Sequence, residues 1–211
     1  MNFIEFKDKL FDFACFNINQ ALALLPDFDR NNITRWQKKG YILPLKQGFY
    51  TFSEYRTKAD YLFFFANQIY KPSYISLHSA LSFYGIIPES IVQITSVSSL
   101  KTSTFTNSLG DFSYKSVKSK LIFGYSTKAI SNKHHIKIAE PEKALLDLLY
   151  LYSFYDDEQG IQELRLDEEF LQSELNMEKL KEYAYRFNSK SLDKRLKLLI
   201  KIYDLCLNLN K

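Results

Sequence analysis

The sequence predicts an α+β protein: a winged helix-turn-helix over residues 1–55, then a mixed α/β domain over residues 56–211 with a small sheet and C-terminal helices. Three observations support this prediction. Three short amphipathic segments precede a hairpin pattern near the start of the chain. A central segment rich in Ser, Thr, Val and Ile is typical of strands, and the final segment is charged with apolar residues three and four apart.

The first two helices follow from the spacing of apolar residues. Phe3 and Phe6 begin a series at helical intervals, which predicts an amphipathic helix over residues 2–15. A second helix is predicted over residues 18–25 and ends at Pro26, because proline lacks the backbone donor and clashes with the preceding turn.

The third helix and the hairpin behind it are the most informative elements. The helix covers RNNITRWQKK, follows the N-cap candidate Asp29 and stops at Gly40, a residue suited to the left-handed position after a helix. Two short strands are predicted over residues 41–45 and 49–52, with residues 46–48 in the turn. Three short helices followed directly by a hairpin make up the winged helix-turn-helix layout.

The remaining elements are assigned from the same signals. Helices are predicted to begin at Thr57, Ser76 and Pro141 and to cover residues 177–187 and 192–209. Strands are predicted over residues 91–98, 112–117, 121–125 and 135–139, with a turn at residues 107–111.

The composition predicts a cytoplasmic protein. Charged Glu5, Lys7 and Asp8 interrupt the apolar start, so no signal peptide is expected, and no run reaches the roughly 18 apolar residues of a membrane span. Cys15 and Cys206 have no neighbouring Cys or His, so we expect neither a disulfide nor a metal site. No glycine-rich phosphate loop occurs, and no cofactor is expected.

The net charge of +4 is unevenly distributed along the chain. Residues 1–150 carry 18 Lys and Arg against 12 Asp and Glu, whereas residues 151–211 carry 10 against 12. A charge excess of this size occurs in proteins of many functions. The excess of positive charge in residues 1–150 is compatible with a basic surface that faces phosphates, formed by that part of the chain, and a nearly neutral remainder.

The third helix offers a polar face suited to DNA. Ile33 and Trp36 share a face that is expected to pack on the first two helices, while Asn32, Arg35 and Lys39 are expected to project together. Arg pairs with guanine, Asn with adenine and Lys with phosphate. An ordinary solvated charged face is the competing interpretation, and the adjoining hairpin favours double-stranded DNA. The predicted DNA-contacting residues are Arg30, Asn31, Asn32, Thr34, Arg35, Lys38, Lys39, Lys46 and Gln47.

Three stretches, in order along the chain, resemble one family. TRWQKKGYILPLKQGFYTF, YISLHSALSFYGIIPE and IAEPEKALLDLLYL are similar to segments of the AbiE-type (AbiEi) antitoxins of bacterial type IV toxin–antitoxin systems. The resemblance extends from about Ile18 to Tyr152. One departure is Gln47, which stands where relatives often carry Arg and weakens the expected contact of the wing with phosphate.

The resemblance implies a transcriptional autorepressor that binds its own operator. It also implies an antitoxin of an abortive-infection system, which counteracts a toxin resembling a nucleotidyltransferase. In that family the region after the winged helix carries the antitoxin activity, and a stable direct contact with the toxin is not generally assumed.

The central lysines have two interpretations. They can form a second nucleic-acid surface with interleaved aromatic residues, or they can protect edge strands from aggregation. We favour the second interpretation because lysines are common on edge strands. The residues concerned are Lys115, Lys118, Lys120, Lys128 and Lys133, with Tyr114 and Tyr125 between them.

No histidine or serine pattern predicts catalysis. His78 is expected to be a packed histidine, and Ser79 and Ser82 have no partner at a spacing that indicates a nucleophile. His134 and His135 alternate faces of a strand and cannot easily chelate one ion together.

The best residues for a metal-dependent nuclease are Asp111, Glu140, Glu142 and Lys143. They lack the carboxylate-x-Lys pattern on a strand, and Lys143 is instead expected to pair with Asp147 on its own helix. We therefore expect a protein that is not an enzyme. A protein-interaction module whose winged helix does not touch DNA stays open, and so does the nuclease.

Overall fold

The N-terminal third alternates short helices and strands. The structure is a computed structural model that describes residues 2–205 and has a mixed α+β arrangement. The first elements are α1 (Phe3–Leu10), β1 (Cys15–Asn17), α2 (Ile18–Leu24), α3 (Asn31–Lys38), β2 (Ile42–Lys46) and β3 (Phe49–Phe52).

Local side chains begin the first two helices. Asn2 and Glu5 form a capping box at α1, and Asn17 and Gln20 form another at α2. The first helix is shorter than predicted, since α1 ends at Leu10 and a 3-10 turn follows it.

The three N-terminal strands form one antiparallel sheet in the order β1-β3-β2. The predicted hairpin is confirmed as β2 and β3, which are joined at Gln47 and Gly48. Gly48 has φ +82°, a value that glycine adopts without strain. The sequence did not predict β1, because three residues are too few to show alternation.

The rest of the chain builds a larger mixed sheet with helices around it. Its elements are α4 (Tyr61–Ile69), β4 (Ser73–Ile75), α5 (Leu77–Phe83), β5 (Gln93–Ser98), β6 (Ser103–Asn107), β7 (Gly110–Ser116), β8 (Tyr125–Ala129), β9 (His135–Ala139), α6 (Pro141–Leu151), α7 (Glu158–Glu163), α8 (Glu168–Ser173), α9 (Met177–Phe187) and α10 (Lys190–Ile202). The strand order is β6-β7-β5-β4-β9-β8, and the pairs β5–β7 and β4–β9 are parallel.

Three strand assignments differ from the sequence prediction. The strand predicted over residues 121–125 is wrong, because a 3-10 turn covers Ser119–Leu121 and β8 begins only at Tyr125. Neither β4 nor β6 was predicted. β4 has three residues, and β6 contains one large apolar side chain, Phe105, so neither has a strong apolar signal. The predicted turn at residues 107–111 is confirmed as the connection of β6 and β7.

The C-terminal helices begin at side-chain caps. Asn176 accepts a hydrogen bond at the start of α9, and Ser189 does so at the start of α10. The helix predicted over residues 192–209 corresponds to α10 as far as Ile202. The last part of that prediction, with Cys206, lies outside the described residues.

One continuous apolar core connects the N-terminal elements with the larger sheet. Tyr55 and Tyr61 are in ring contact across the predicted domain boundary, with centroids 4.7 Å apart. The Asn107 side-chain amide donates a hydrogen bond to the Leu45 carbonyl at 2.8 Å. The β6–β7 hairpin therefore packs against the β2–β3 hairpin. None of the described helices combines the length and the apolar character needed to cross a bilayer.

Candidate nucleic-acid interface

The two ends of α3 are fixed by local hydrogen bonds. Asp29 Oδ1 accepts from the Asn31 backbone at 2.9 Å at the start of the helix. At its end Gly40 has φ +71°, and its N–H donates to the Gln37 carbonyl at 2.9 Å while the Tyr41 N–H donates to the Trp36 carbonyl at 2.9 Å. This Schellman arrangement stops α3 directly before β2.

One face of α3 is anchored by Trp36. The indole is 7% exposed, and its ring centroid lies 4.7 Å from Phe6, 5.3 Å from Phe3 and 5.8 Å from Phe28. Ile33 is 3% exposed on the same side of the helix. The predicted inward face of α3 is confirmed, and the aromatic contacts set its orientation on α1.

The opposite face of α3 is a row of exposed polar side chains. Asn31, Thr34, Arg35 and Lys38 are all exposed and lie three or four residues apart, so they follow one another along the helix surface. The Arg35 side chain is 65% exposed, and its Nη2 lies 3.5 Å from Asp29 Oδ2. We call these four residues the α3 row.

The prediction that Asn32 belongs to the exposed face is wrong. Asn32 is only 8% exposed, because it lies one helical turn before Trp36 and so faces the same side of α3 as the buried indole. Lys39 is exposed, and its ammonium group lies 5.9 Å from the Tyr41 ring centroid. Arg30 is exposed directly before the helix.

Lys46 does not project from the tip of the wing as predicted. Its Nζ donates to the Ile69 carbonyl at 3.1 Å and lies 4.7 Å from the Tyr70 ring centroid and 4.5 Å from that of Phe105. Burial lowers the pKa of the Lys46 ammonium group. Gln47 is exposed in the turn, as predicted.

The sequence did not predict the contact between the β2–β3 hairpin and the β6–β7 hairpin. A cavity of about 450 Å³ lies between α3, β2 and the β6–β7 turn, with Gln37, Pro44 and Thr106 in its wall. Its position depends on β6, which carries no strong sequence signal. The sequence therefore could not place the turn of β6 and β7 beside the wing.

The central lysines do not form the interleaved aromatic surface considered from the sequence. Tyr114 is fully buried, and its hydroxyl donates to the Ala66 carbonyl at 2.8 Å. The Lys115 ammonium group lies 5.5 Å from the Tyr152 ring centroid. Lys133 forms an ion pair with Asp12 of the N-terminal elements. These contacts favour structural roles for Tyr114 and Lys133.

Two of the three histidines contact tyrosine hydroxyl groups, and His134 Nδ1 also lies 3.1 Å from the Ser131 hydroxyl in the turn before β9. His78 Nε2 is 3.2 Å from the Tyr155 hydroxyl, and burial lowers the pKa of its imidazole. His134 is 8% exposed with Nδ1 3.1 Å from the Tyr61 hydroxyl, whereas His135 is exposed. Ser79 Oγ accepts from the Thr95 backbone at 2.7 Å, which gives it a structural partner.

The carboxylates considered for a nuclease have separate partners. Glu140 accepts from the Tyr183 hydroxyl at 2.7 Å, and Glu142 accepts from the Asn176 backbone at 2.9 Å. The predicted pair of Lys143 and Asp147 is confirmed. Within residues 2–205 no group of three or more His, Cys, Asp or Glu side chains could hold a metal ion.

Comparison with models of protein families gives no match to this chain, and neither does comparison with curated proteins.

Proposed function

We propose that the protein is a transcriptional repressor that binds double-stranded DNA upstream of its own gene. In this proposal the elements from α1 to β3 form a winged helix-turn-helix, and α3 is the recognition helix. The observation that carries the proposal is the α3 row, which is exposed along its whole length while Trp36 fixes the opposite face.

The chemistry of the α3 row suits the major groove. Recognition helices contact base edges mainly with residues near their N-terminus. Asn31 and Thr34 lie in the first half of α3 and Arg35 follows at its middle, and Asn and Arg can form paired hydrogen bonds with adenine and guanine. Lys38 in the last turn is suited to a backbone phosphate.

Arg35 can leave its present partner at little cost. Its contact with Asp29 is long at 3.5 Å, and both side chains are more than half exposed. Exposed ion pairs of this kind contribute about 0–1 kcal/mol. A bidentate contact with guanine contributes about 1–3 kcal/mol of discrimination against other bases, and we expect the weak contact with Asp29 to give way to it.

Fluorescence anisotropy with a labelled duplex from the region upstream of the gene tests this proposal. We expect Arg35→Ala to weaken specific binding by about 1–3 kcal/mol and to reduce the preference over an unrelated duplex. Arg165→Ala is the matched control, because its side chain is also 65% exposed and also pairs with a surface carboxylate, Glu89. Equal duplex affinities for the two variants would refute the assignment of α3.

The antitoxin role is a second part of the proposal and is supported by the family resemblance. We expect co-expression of the full chain to restore growth of cells that express the adjacent nucleotidyltransferase-like protein. Arg35→Ala, supplied from an independent promoter, should still restore growth, since antitoxin activity is assigned to the region after β3. Loss of rescue in a well-folded Arg35→Ala protein would contradict this separation.

One observation favours the alternative of a protein-interaction module. The wing is held against the β6–β7 hairpin, and the cation of Lys46 is engaged by Ile69. Because the Lys46 ammonium group is bound inside the protein, the wing cannot use this lysine to bind a DNA phosphate. Co-purification with the neighbouring gene product, together with no saturable binding to the upstream duplex, would favour this alternative.

A further inference from the structure

A groove of about 480 Å³ lies between α9 and α10, the last two helices of the described chain. The two helices are consecutive and meet at Asn188 and Ser189, where Asn188 takes the left-handed conformation with φ +49°. The groove begins beside this turn, at Asn188 and Asp193, and continues as far as Lys181 on α9 and Ile200 on α10. We call it the α9–α10 groove.

The floor of the groove is apolar. Ala184 of α9 and Leu196 of α10 are 6% and 7% exposed and belong to the apolar core, and Ile200 is a half-buried residue packed against that core. Most of the accessible surface in the groove is apolar. Removing apolar surface from water is favourable by about 25 cal/mol per Å². The floor therefore favours an occupant with apolar side chains.

Tyr185 lies on the rim of the groove and is 87% exposed. A tyrosine with this exposure contributes little to the core of its own chain. Tyrosine is enriched at protein interfaces, because its ring supplies a large contact area at a low cost in conformational entropy while its hydroxyl stays hydrated. The rim is therefore suited to contact with another protein.

Exposed lysines follow one another along α10 beside the groove. They are spaced by three or four residues, so their side chains share one face of the helix, and we call them the α10 lysine row: Lys190, Lys194, Lys197 and Lys201. Lys197 also lines the groove. None of the four forms an ion pair with another residue in the described part of the chain.

Helix stability does not explain the α10 lysine row. α10 carries five basic residues and one acidic residue, although residues 151–211 together carry 10 basic and 12 acidic residues. Lys190 is the first residue of α10 and Lys194 follows one turn later, whereas positive charge near the N-terminus of a helix opposes the helix dipole. A concentration of positive charge beside an apolar groove favours a partner with acidic side chains.

We propose that the α9–α10 groove binds an amphipathic helix of a partner protein, and that the polar face of this helix is acidic. Three apolar side chains at positions i, i+3 or i+4, and i+7 of the partner helix enter the groove. Positions i and i+7 are about 10 Å apart along a helix axis, as are Lys181 and Asn188 on α9. Acidic side chains at the flank of the partner helix then pair with Lys197 and its neighbours in the α10 lysine row.

Two other occupants suit the groove less well. A nucleic acid can bind lysines through its phosphates, but it has no apolar side chains for the floor, and single strands stack on a series of aromatic rings. Tyr185 is the only aromatic residue among the described residues that line the groove. The surface of a bilayer is flat and does not reach a floor that lies between two helices.

Fluorescence anisotropy on the full chain tests this site with a designed peptide. The probe is a labelled helix of about 15 residues with leucines on one face and glutamates on the other, and the comparison peptide carries lysines in place of the glutamates. We expect saturable binding of the acidic peptide that weakens with added salt, and binding of the basic peptide that is weaker by about tenfold or more.

Two variants separate the charged and the apolar contributions. Lys197→Glu should weaken binding of the acidic peptide about tenfold or more, because an attractive contact becomes repulsive. Lys9→Glu is the matched control, since Lys9 is also exposed on a helix, gives the same change of net charge and does not line the groove. Tyr185→Ala changes no charge and should weaken binding about fivefold or more. Because Tyr185 is 87% exposed, its truncation should leave the fold intact.

Absence of saturable binding of the acidic peptide would overturn the proposal, and so would equal affinities of Lys197→Glu and Lys9→Glu for it. Equal binding of the acidic and the basic peptide would show that the α10 lysine row does not select the partner. A single-stranded oligonucleotide, or vesicles of phosphatidylserine, that bound the wild type more tightly than the acidic peptide and lost affinity in Lys197→Glu would assign the groove to that ligand instead. The peptide titrations need no DNA, so they are independent of the role of α3.

Discussion

Lys143 and Asp147, one turn apart on α6, form an ion pair in which neither side chain is exposed to solvent. The Tyr74 hydroxyl and the Ser76 hydroxyl donate to Asp147 Oδ2 at 2.9 and 2.8 Å. Lys143 Nζ also donates to the Tyr74 oxygen at 2.8 Å. The charges of Lys143 and Asp147 are therefore paired inside the fold, where their hydrogen bonds to Tyr74 connect α6 to β4.

Removing one member of this pair should destabilise the protein strongly. Lys143→Met leaves the Asp147 carboxylate buried without its counter-charge, and we expect the free energy of unfolding to fall by about 3–5 kcal/mol in urea denaturation. Lys179→Met is the control, because Lys179 pairs with Glu140 at the surface and its removal should cost less than about 1 kcal/mol. Similar losses in the two variants would show that the buried pair is not a major determinant of stability.

The two faces of α3 should respond differently to truncation. Trp36→Ala removes a buried ring that contacts three phenylalanines, and we expect a loss of about 3–5 kcal/mol in the free energy of unfolding. Thr34→Ala, on the exposed face, should change it by no more than about 0.5 kcal/mol. Thermal and urea unfolding of both variants measure this difference. A mild effect of Trp36→Ala would mean that α3 is not anchored by its indole.

The sequence predicted the inward face of α3 better than its outward face. Ile33 and Trp36 are large and apolar, so their burial follows from residue type and spacing alone. Asn32 was misplaced because polarity was taken as exposure, although Asn32 precedes Trp36 by one turn and is covered with it. The α3 row can be read from helical spacing once the buried face is centred between Ile33 and Trp36.

Contacts distant in sequence explain what the sequence did not predict. Lys46 looked like the free tip of a wing, yet Ile69 and Phe105 surround it from elements 23 and 59 residues away. The larger sheet likewise depends on β4, a three-residue strand without a sequence signal that pairs with β5 and β9. A strand this short forms because neighbouring strands pair with it, so the local residue pattern does not predict it.

The burial of His78 should make stability sensitive to mild acid. Burial lowers the pKa of the folded imidazole, so the unfolded chain binds a proton more readily below its ordinary pKa of about 6.5. The contribution of His78 is therefore present above about pH 6.5 and is lost as the pH falls, with a slope below about 1.4 kcal/mol per pH unit. We expect His78→Gln to remove this part of the pH dependence.

Urea denaturation of wild type and His78→Gln at several pH values between about 7.5 and 5.5 measures the effect. The stability of wild type relative to the variant should decrease towards acid. His134 and His135 are present in both proteins, so any contribution they make cancels in the difference. A constant difference across this range would contradict the assignment of acid sensitivity to His78.

Lys38 and Lys46, two of the three lysines predicted from sequence to contact DNA, should differ in their effect on DNA binding. Lys38 belongs to the α3 row and is exposed, whereas Lys46 is held by Ile69 and two aromatic rings. Removing one lysine that binds a phosphate reduces the slope of log affinity against log salt by about 1. We therefore expect Lys38→Met to reduce this slope by about 1 and to weaken binding to all duplexes alike, while Lys46→Met leaves the slope unchanged. Anisotropy titrations at four salt concentrations measure both slopes. A reduced slope for Lys46→Met with an unchanged slope for Lys38→Met would place the wing, and not the last turn of α3, on the phosphate backbone.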